Sequence, residues 1–347
     1  MSVVWIVICA LLIVAPMIFT LGAIIYGAIK KARALRPVEY YAPRGYSPID
    51  VLIKYYGHNA DAHRLLNPLM LYWAHRGFIT IEEDCKRGLK LTKLKALEKP
   101  DTAARFTKGQ SKNFEIEKAL FDDIFSRGKT FYTLAASPAY SKSVSDFIAK
   151  ARDSAKASRS GITQKFSVLS LVLSVAALII TTVVCGVSYG SPLFLAMIFP
   201  IVGIIAFNSI PGGDGLTSAI KYPFFAVWGG APFAVVVANA PVDAAILLGV
   251  AELFGALTVT LLAKRIDIRT DKAAALYGRI MSFRKFLLDV EADKLELLVE
   301  ENPDYFYDIL PFCYVLDITK KLRAKFDRIT LDGPSWYLGD LRDTLMF

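Results

Sequence analysis

VVWIVICALLIVAPMIFTLGAIIYGAIKKAR, Val3 to Arg33, decides what kind of protein this chain is. From Val3 to Ile29 it carries no charge, enough for about 20 residues of membrane-spanning helix with some tilt. A cleaved signal peptide would carry its basic residues before a shorter apolar core. Here Lys30, Lys31, Arg33 and Arg36 come afterwards, so the stretch reads as an uncleaved anchor.

The rest of the 347 residues support a membrane protein: 54% are hydrophobic and mean hydropathy is +0.41. The excess lies in four further blocks, residues 166–187, 192–208, 222–238 and 242–263, of which the second and third are short or interrupted and could be re-entrant. The four cysteines are scattered with no C-x-x-C pair, so neither a disulfide framework nor a zinc ribbon is indicated. Residues 30–165 hold 26 Lys and Arg against 14 Asp and Glu, whereas the loops 187–192 and 239–242 hold no Lys or Arg. Positive charge collects on the cytoplasmic side, which predicts five spans in the cell (inner) membrane, N-terminus outside and C-terminus inside. The net charge of +9 then suits a surface near anionic lipid and needs no nucleic acid.

After a juxtamembrane linker, residues 30–46, Ser47-Pro48-Ile49-Asp50 has the form of a capping box, and a helix should run to Tyr56. A second helix is expected from about Asp61 to Arg76, stopped by Gly77. Two alternating stretches follow, FITIEED and LKLTKLK, joined by CKRG. Two helices and a hairpin make residues 47–99 a winged-helix-like α+β domain. Its second helix is apolar over much of its surface and offers few side chains for reading base edges, so nucleic acid is disfavoured as a partner. The basic residues sit in the wing, at Lys86, Arg87, Lys90, Lys93 and Lys95, where phosphate or lipid headgroups would serve. His58, His63, His75 and Cys85 lie close in sequence but match no zinc template, and no cofactor is expected. Residues 100–165 read as a second helical unit and linker: a helix from about Asn113 to Ser126, an extended KTFYTL, and a helix from Pro138 to about Ala157. No nucleophile elbow, P-loop, G-x-G-x-x-G or H-E-x-x-H occurs, so no enzyme activity is expected.

Residues 264–347 read as a cytoplasmic helical region. A helix should run from Ala273 to about Glu300, with Asp289, Asp293, Glu296 and Glu300 in one stripe, read as a solvated face. Pro303 should open the next helix at N1. That helix carries Tyr305, Phe306, Ile309, Leu310, Phe312 and Tyr314 around most of its circumference, so it must be covered by protein or lie among headgroups. A basic amphipathic helix with Leu322, Phe326 and Ile329 follows. Phe306, Leu310, Pro311, Phe312, Trp336 and Tyr337 are the expected docking residues of a lid against the cytoplasmic domain and the inner leaflet.

Several of these runs resemble a family of bacterial predicted membrane proteins known as domain of unknown function 2207. The similarity rests on Ser282-Phe283-Arg284-Lys285-Phe286-Leu287, Glu291-Ala292-Asp293-Lys294-Leu295, Asn302-Pro303 with Phe306, Ile309-Leu310-Pro311-Phe312 and Trp336-Tyr337. EYYAPRGYSP and LLNPLMLYWAHRGFITIEE add to it; Phe312-Cys313 departs from the usual Tyr-Ala. Members usually begin with a signal peptide and an extracytoplasmic β-sandwich, which the resemblance implies is missing here. It implies no activity and no catalytic residues.

The expected function is a non-enzymatic, membrane-anchored interaction or signalling scaffold, with membrane lipid and other membrane or cytoplasmic proteins as partners and no small-molecule ligand named. Glu252, nine residues after Asp243 and twelve before Lys264, supports an alternative. A carboxylate near mid-membrane is costly and by default a functional candidate, here for a small transport or ion-conducting component. A membrane-tethered DNA-binding regulator ranks third.

Overall fold

The computed structural model of the chain describes residues 2–35, 38–57, 60–84, 86–99, 107–133, 138–158, 161–189, 231, 233–235, 237–258, 262–326, 329, 331 and 333–339. The expected span at 192–208 and most of that at 222–238 lie outside the described residues. The chain forms two compact units: residues 1–30 with 160–269, and residues 31–159 with 270–347.

In the first unit, α1 (Val3–Arg33) and α6 (Gly161–Tyr189) are, among the described residues, the two helices long and apolar enough to cross a membrane. A third apolar helix, α7 (Val242–Leu257), has 16 residues. The unit is apolar outside and partly polar inside. Val3, Leu11 and Ile18 on α1, Val172 on α6 and Ile246 and Leu253 on α7 are all more than half exposed. Thr20, Ser170, Ser174 and Thr182 are buried, with Thr20 bonded to Ser170 across the α1–α6 contact. Water would penalise that arrangement, whereas a lipid solvent favours it, because hydroxyls are satisfied between helices and side chains such as Leu11 meet acyl chains. Gly27 permits close approach: a Cβ there would lie 2.6 Å from the Asp267 carbonyl oxygen.

The second unit joins residues distant in sequence around one core. The order read for residues 47–99 is present: α2 (Pro48–Tyr56), a 3-10 turn (Ala62–Leu65), α3 (Leu66–His75), then β1 (Ile79–Asp84) and β2 (Gly88–Lys93) as an antiparallel hairpin. The Ser47–Asp50 capping box forms, and Gly77 takes φ +70° after α3. Ile79, Ile81 and Leu91 turn into the core, as the alternation predicts. Two more strands extend the sheet to the order β3-β2-β1-β4: β3 (Thr130–Tyr132), within KTFYTL, is antiparallel to β2, and β4 (Tyr337–Leu338) is parallel to β1. Helix α4 (Lys108–Ile124) starts before the expected Asn113, because Thr107 and Gln110 form a reciprocal capping box. Helix α5 (Pro138–Ala157) has the expected bounds.

The C-terminal region departs from its reading in two places. The single helix expected over residues 273–300 is broken into α8 (Asp271–Asp289) and α9 (Ala292–Glu301) by extended backbone at Val290 and Glu291. Lys325, from α11 (Thr319–Phe326), supports the break: its Nζ donates to the carbonyls of Leu287, Leu288 and Val290 at 3.2, 2.6 and 2.7 Å. A cation there satisfies carbonyls that the ended helix leaves open and complements its dipole. The acidic stripe therefore runs over two helices. Likewise, α10 begins at Tyr305 and ends at Val315, with Asp304 rather than the residue before Pro303 as its cap.

Candidate functional site

α10 is the centre of the second unit rather than a lid. Tyr305, Phe306, Tyr307, Ile309, Leu310, Phe312, Cys313 and Val315 are each at most 7% exposed, so protein covers nearly its whole circumference. Rings interlock on every side: Phe306 with Phe326 at 4.8 Å, Tyr72 with Phe312 at 6.2 Å, and Tyr307 with Trp336 at 5.7 Å. Trp336 also passes its carbonyl to the Ile81 amide, and Tyr337 pairs with β1. The expected docking residues, Pro311 included, thus lie in one core shared with α2, α3 and the sheet.

The juxtamembrane linker is fastened to the same core. A Cβ on Gly278 would fall 1.8 Å from the Ala34 carbonyl oxygen, so only glycine lets α8 and the linker approach so closely. Arg279 pairs with Glu39 at 2.9 Å, Tyr305 Oη donates to the Tyr40 carbonyl at 2.9 Å, and the Tyr41 ring meets that of Tyr305. The sequence signals polarity and prolines here, and nothing local reveals the docking.

The wing cations are largely matched by neighbours. Lys90 stands opposite Glu82 and bonds it at 2.7 Å, and Arg87 pairs with Asp84 while lying 4.2 Å over the Tyr132 ring. Lys93 reaches Asp122 at 3.7 Å and sits over Phe121; Lys95 covers Phe78 at 4.8 Å. Lys86 is exposed. Such surface pairs add little stability, but they weaken the positive field an anionic surface would meet.

Of the candidate metal ligands, His63 and His75 are described, and neither joins a cluster. Among the described residues no three His, Cys, Asp or Glu side chains converge on one point. His75 Nε2 meets Asp308 at 2.8 Å, and Asp308 also accepts from Asn302. His63 is exposed beside Asp61, while His58 and Cys85 lie outside the described residues. Glu252 lies on α7, where its Oε2 is buried with no hydrogen-bond partner among the described residues. Thr182 of α6 gives its hydroxyl to the Leu178 carbonyl.

Two features carry no sequence motif. First, a buried polar chain links α2, α4 and α5: Asp50 accepts from Asn113 at 2.7 Å, and Asn113 accepts from Ser154. Burial pushes the Asp50 carboxyl up to about 6, against the lowering effect of Asn113 and Ser47. Beside it, Glu117 accepts from the Trp73 indole at 2.8 Å and leaves its other oxygen without a partner among the described residues. Burial pushes Glu117 up to about 7; Trp73 and Ser47 oppose the shift and the Asp50 charge adds to it. Second, Arg284 of α8 and Lys320, Lys321 and Arg323 of α11 line one cleft of about 710 Å³.

Apolar helices with a lipid-suited exterior, joined to a folded polar unit, define a membrane protein. The chain belongs to the predicted membrane protein family DUF2207, whose C-terminal domain matches residues 37–326. Comparison with curated proteins and with solved structures finds no match.

Proposed function

We propose that this protein is a multipass, membrane-anchored interaction scaffold that displays its second unit on the cytoplasmic side, with a winged-helix-like domain at residues 47–99. The observation that carries this reading is the burial of α3. In a DNA-reading winged helix the corresponding helix must be free to enter a groove. Here Leu69, Met70, Leu71, Trp73 and Ala74 are buried, and Tyr72 packs on Phe312 of α10. With the wing cations paired as well, the domain is better suited to holding protein surfaces than to reading bases. The test uses full-length protein. In intact cells a membrane-impermeant thiol reagent should label Ser188→Cys and not Ser111→Cys. In nanodiscs the protein should show no sequence-selective duplex DNA binding at physiological salt. Reversed labelling removes the topology, and selective DNA binding removes the scaffold.

The Glu252 oxygen that has no partner among the described residues favours a second reading, a small transport component that uses this carboxylate. Proteoliposome flux with Glu252→Gln separates the two: conduction by the native protein and not by the variant selects transport.

A further inference from the structure

We propose that the cleft between α8 and α11 is a binding site for a ligand carrying two or more phosphate groups. The turn that forms it is built for shape. Asp317 follows α10 in the left-handed conformation, φ +57°, a region that residues with a side chain seldom adopt. Two bonds close the turn: Ile318 N donates to Cys313 O at 3.0 Å and Asp317 N to Tyr314 O at 3.2 Å. This reversal brings the start of α11 back toward α8, so that Lys320, Lys321 and Arg323 share a cleft of about 710 Å³ with Arg284.

The charges are arranged for an anion. Arg284 is half-buried and anchored, its Nε donating to the Leu316 carbonyl at 3.2 Å. The two terminal nitrogens of its guanidinium make no ion pair among the described residues. Neither do Lys320 and Lys321. Asp317, the acid among the cleft's described lining residues, already pairs with Arg64 on another element at 3.4 Å. Arg284, Lys320 and Lys321 therefore face one shared carboxylate. This contrasts with the wing, where nearly every cation has a carboxylate or a ring beside it. A fixed guanidinium fork suits a phosphate bidentately, and flanking ammonium groups neutralise further charge. The volume exceeds what one inorganic phosphate fills, and Leu288, Ile318 and Tyr314 offer an apolar wall for an organic body. An organic diphosphate meets all of these terms. It could come from a soluble nucleotide-like molecule or from a lipid headgroup with two phosphates.

The test uses full-length protein in nanodiscs of phosphatidylcholine alone, titrated with pyrophosphate and with ADP, and in nanodiscs containing cardiolipin, with thermal stabilisation as the readout. Saturable stabilisation by a soluble probe identifies a soluble source; stabilisation only by cardiolipin identifies the headgroup. Either way, Lys321→Gln and Arg284→Lys should each weaken the effect about tenfold, the loss expected for one charge-assisted bond. Lys86→Gln and Lys95→Gln on the wing should leave it unchanged. Lys321 is exposed, so its variant folds even if the Arg284 variant does not. No stabilisation by any of the three probes, or equal losses from wing and cleft variants, overturns the site.

Discussion

Replacing Glu117 by Gln should give a stabilisation that is absent below about pH 4.5, grows through mild acid and is complete above neutral pH. The folded-state pKa is raised from 4.5 to about 7, so the folded protein binds the proton more tightly than the unfolded chain. The stabilisation from a raised acid pKa is fully present below the unfolded value and is lost as pH rises through the folded one. Above about pH 7.5 the carboxylate is therefore ionised in a buried site that disfavours it. At 1.36 kcal/mol per unit, the shift from 4.5 to about 7 corresponds to about 3 kcal/mol lost by the native protein and spared in the variant. For a unit of this size that is about 6–12 °C in melting temperature. Gln keeps an acceptor for the Trp73 indole, which holds Oε1 at 2.8 Å. Its amide nitrogen takes the place of an oxygen that has no partner among the described residues, a cost of about 1–3 kcal/mol that does not vary with pH. The signature is thus the slope: the difference between variant and native protein should grow by about 3 kcal/mol from pH 4.5 to pH 8. Thermal unfolding of full-length protein in detergent, followed by tryptophan fluorescence at five pH values, measures it. A difference that stays flat with pH, or shrinks as pH rises, refutes the assignment of Glu117 as a buried, proton-holding carboxyl.

Lys325→Met should destabilise the second unit by about 2 kcal/mol, because three carbonyls around the α8–α9 break lose a charged donor, while Lys325→Arg should recover most of it in chemical denaturation. Gly278→Ala should cost about 1–3 kcal/mol and speed trypsin cleavage after Arg44, since the new Cβ displaces the linker at Ala34. An unchanged cleavage rate would mean that the linker is not held there. Under the scaffold reading, Glu252→Gln and native protein should show the same proton and cation flux in proteoliposomes as empty vesicles.

Signals that act over a few residues were legible in the sequence. An uncharged run such as Val3–Ile29 states its own solvent preference. The Ser47–Asp50 capping box, the Gly77 stop and the alternation through Ile79, Ile81 and Leu91 specify backbone geometry through neighbours three or fewer residues away. The start of α4 was equally available in Thr107-x-x-Gln110. Strand β4 was not: two residues at Tyr337–Leu338 become a strand only because β1 offers an edge. The aromatic density of Tyr305–Val315 required burial, but periodicity could not choose between headgroups and protein as the cover. That choice came from α2, α3 and Trp336, which enclose α10 from distant parts of the chain. The break at Val290 and Glu291 has the same origin. A sequence of good helix formers ends there in the company of an ammonium group donated from Lys325, a residue whose local pattern reads as solvated. The cleft also belongs to tertiary structure. Arg284 and Lys321 belong to separate helices in sequence, and only the left-handed turn at Asp317 makes them neighbours of one cavity.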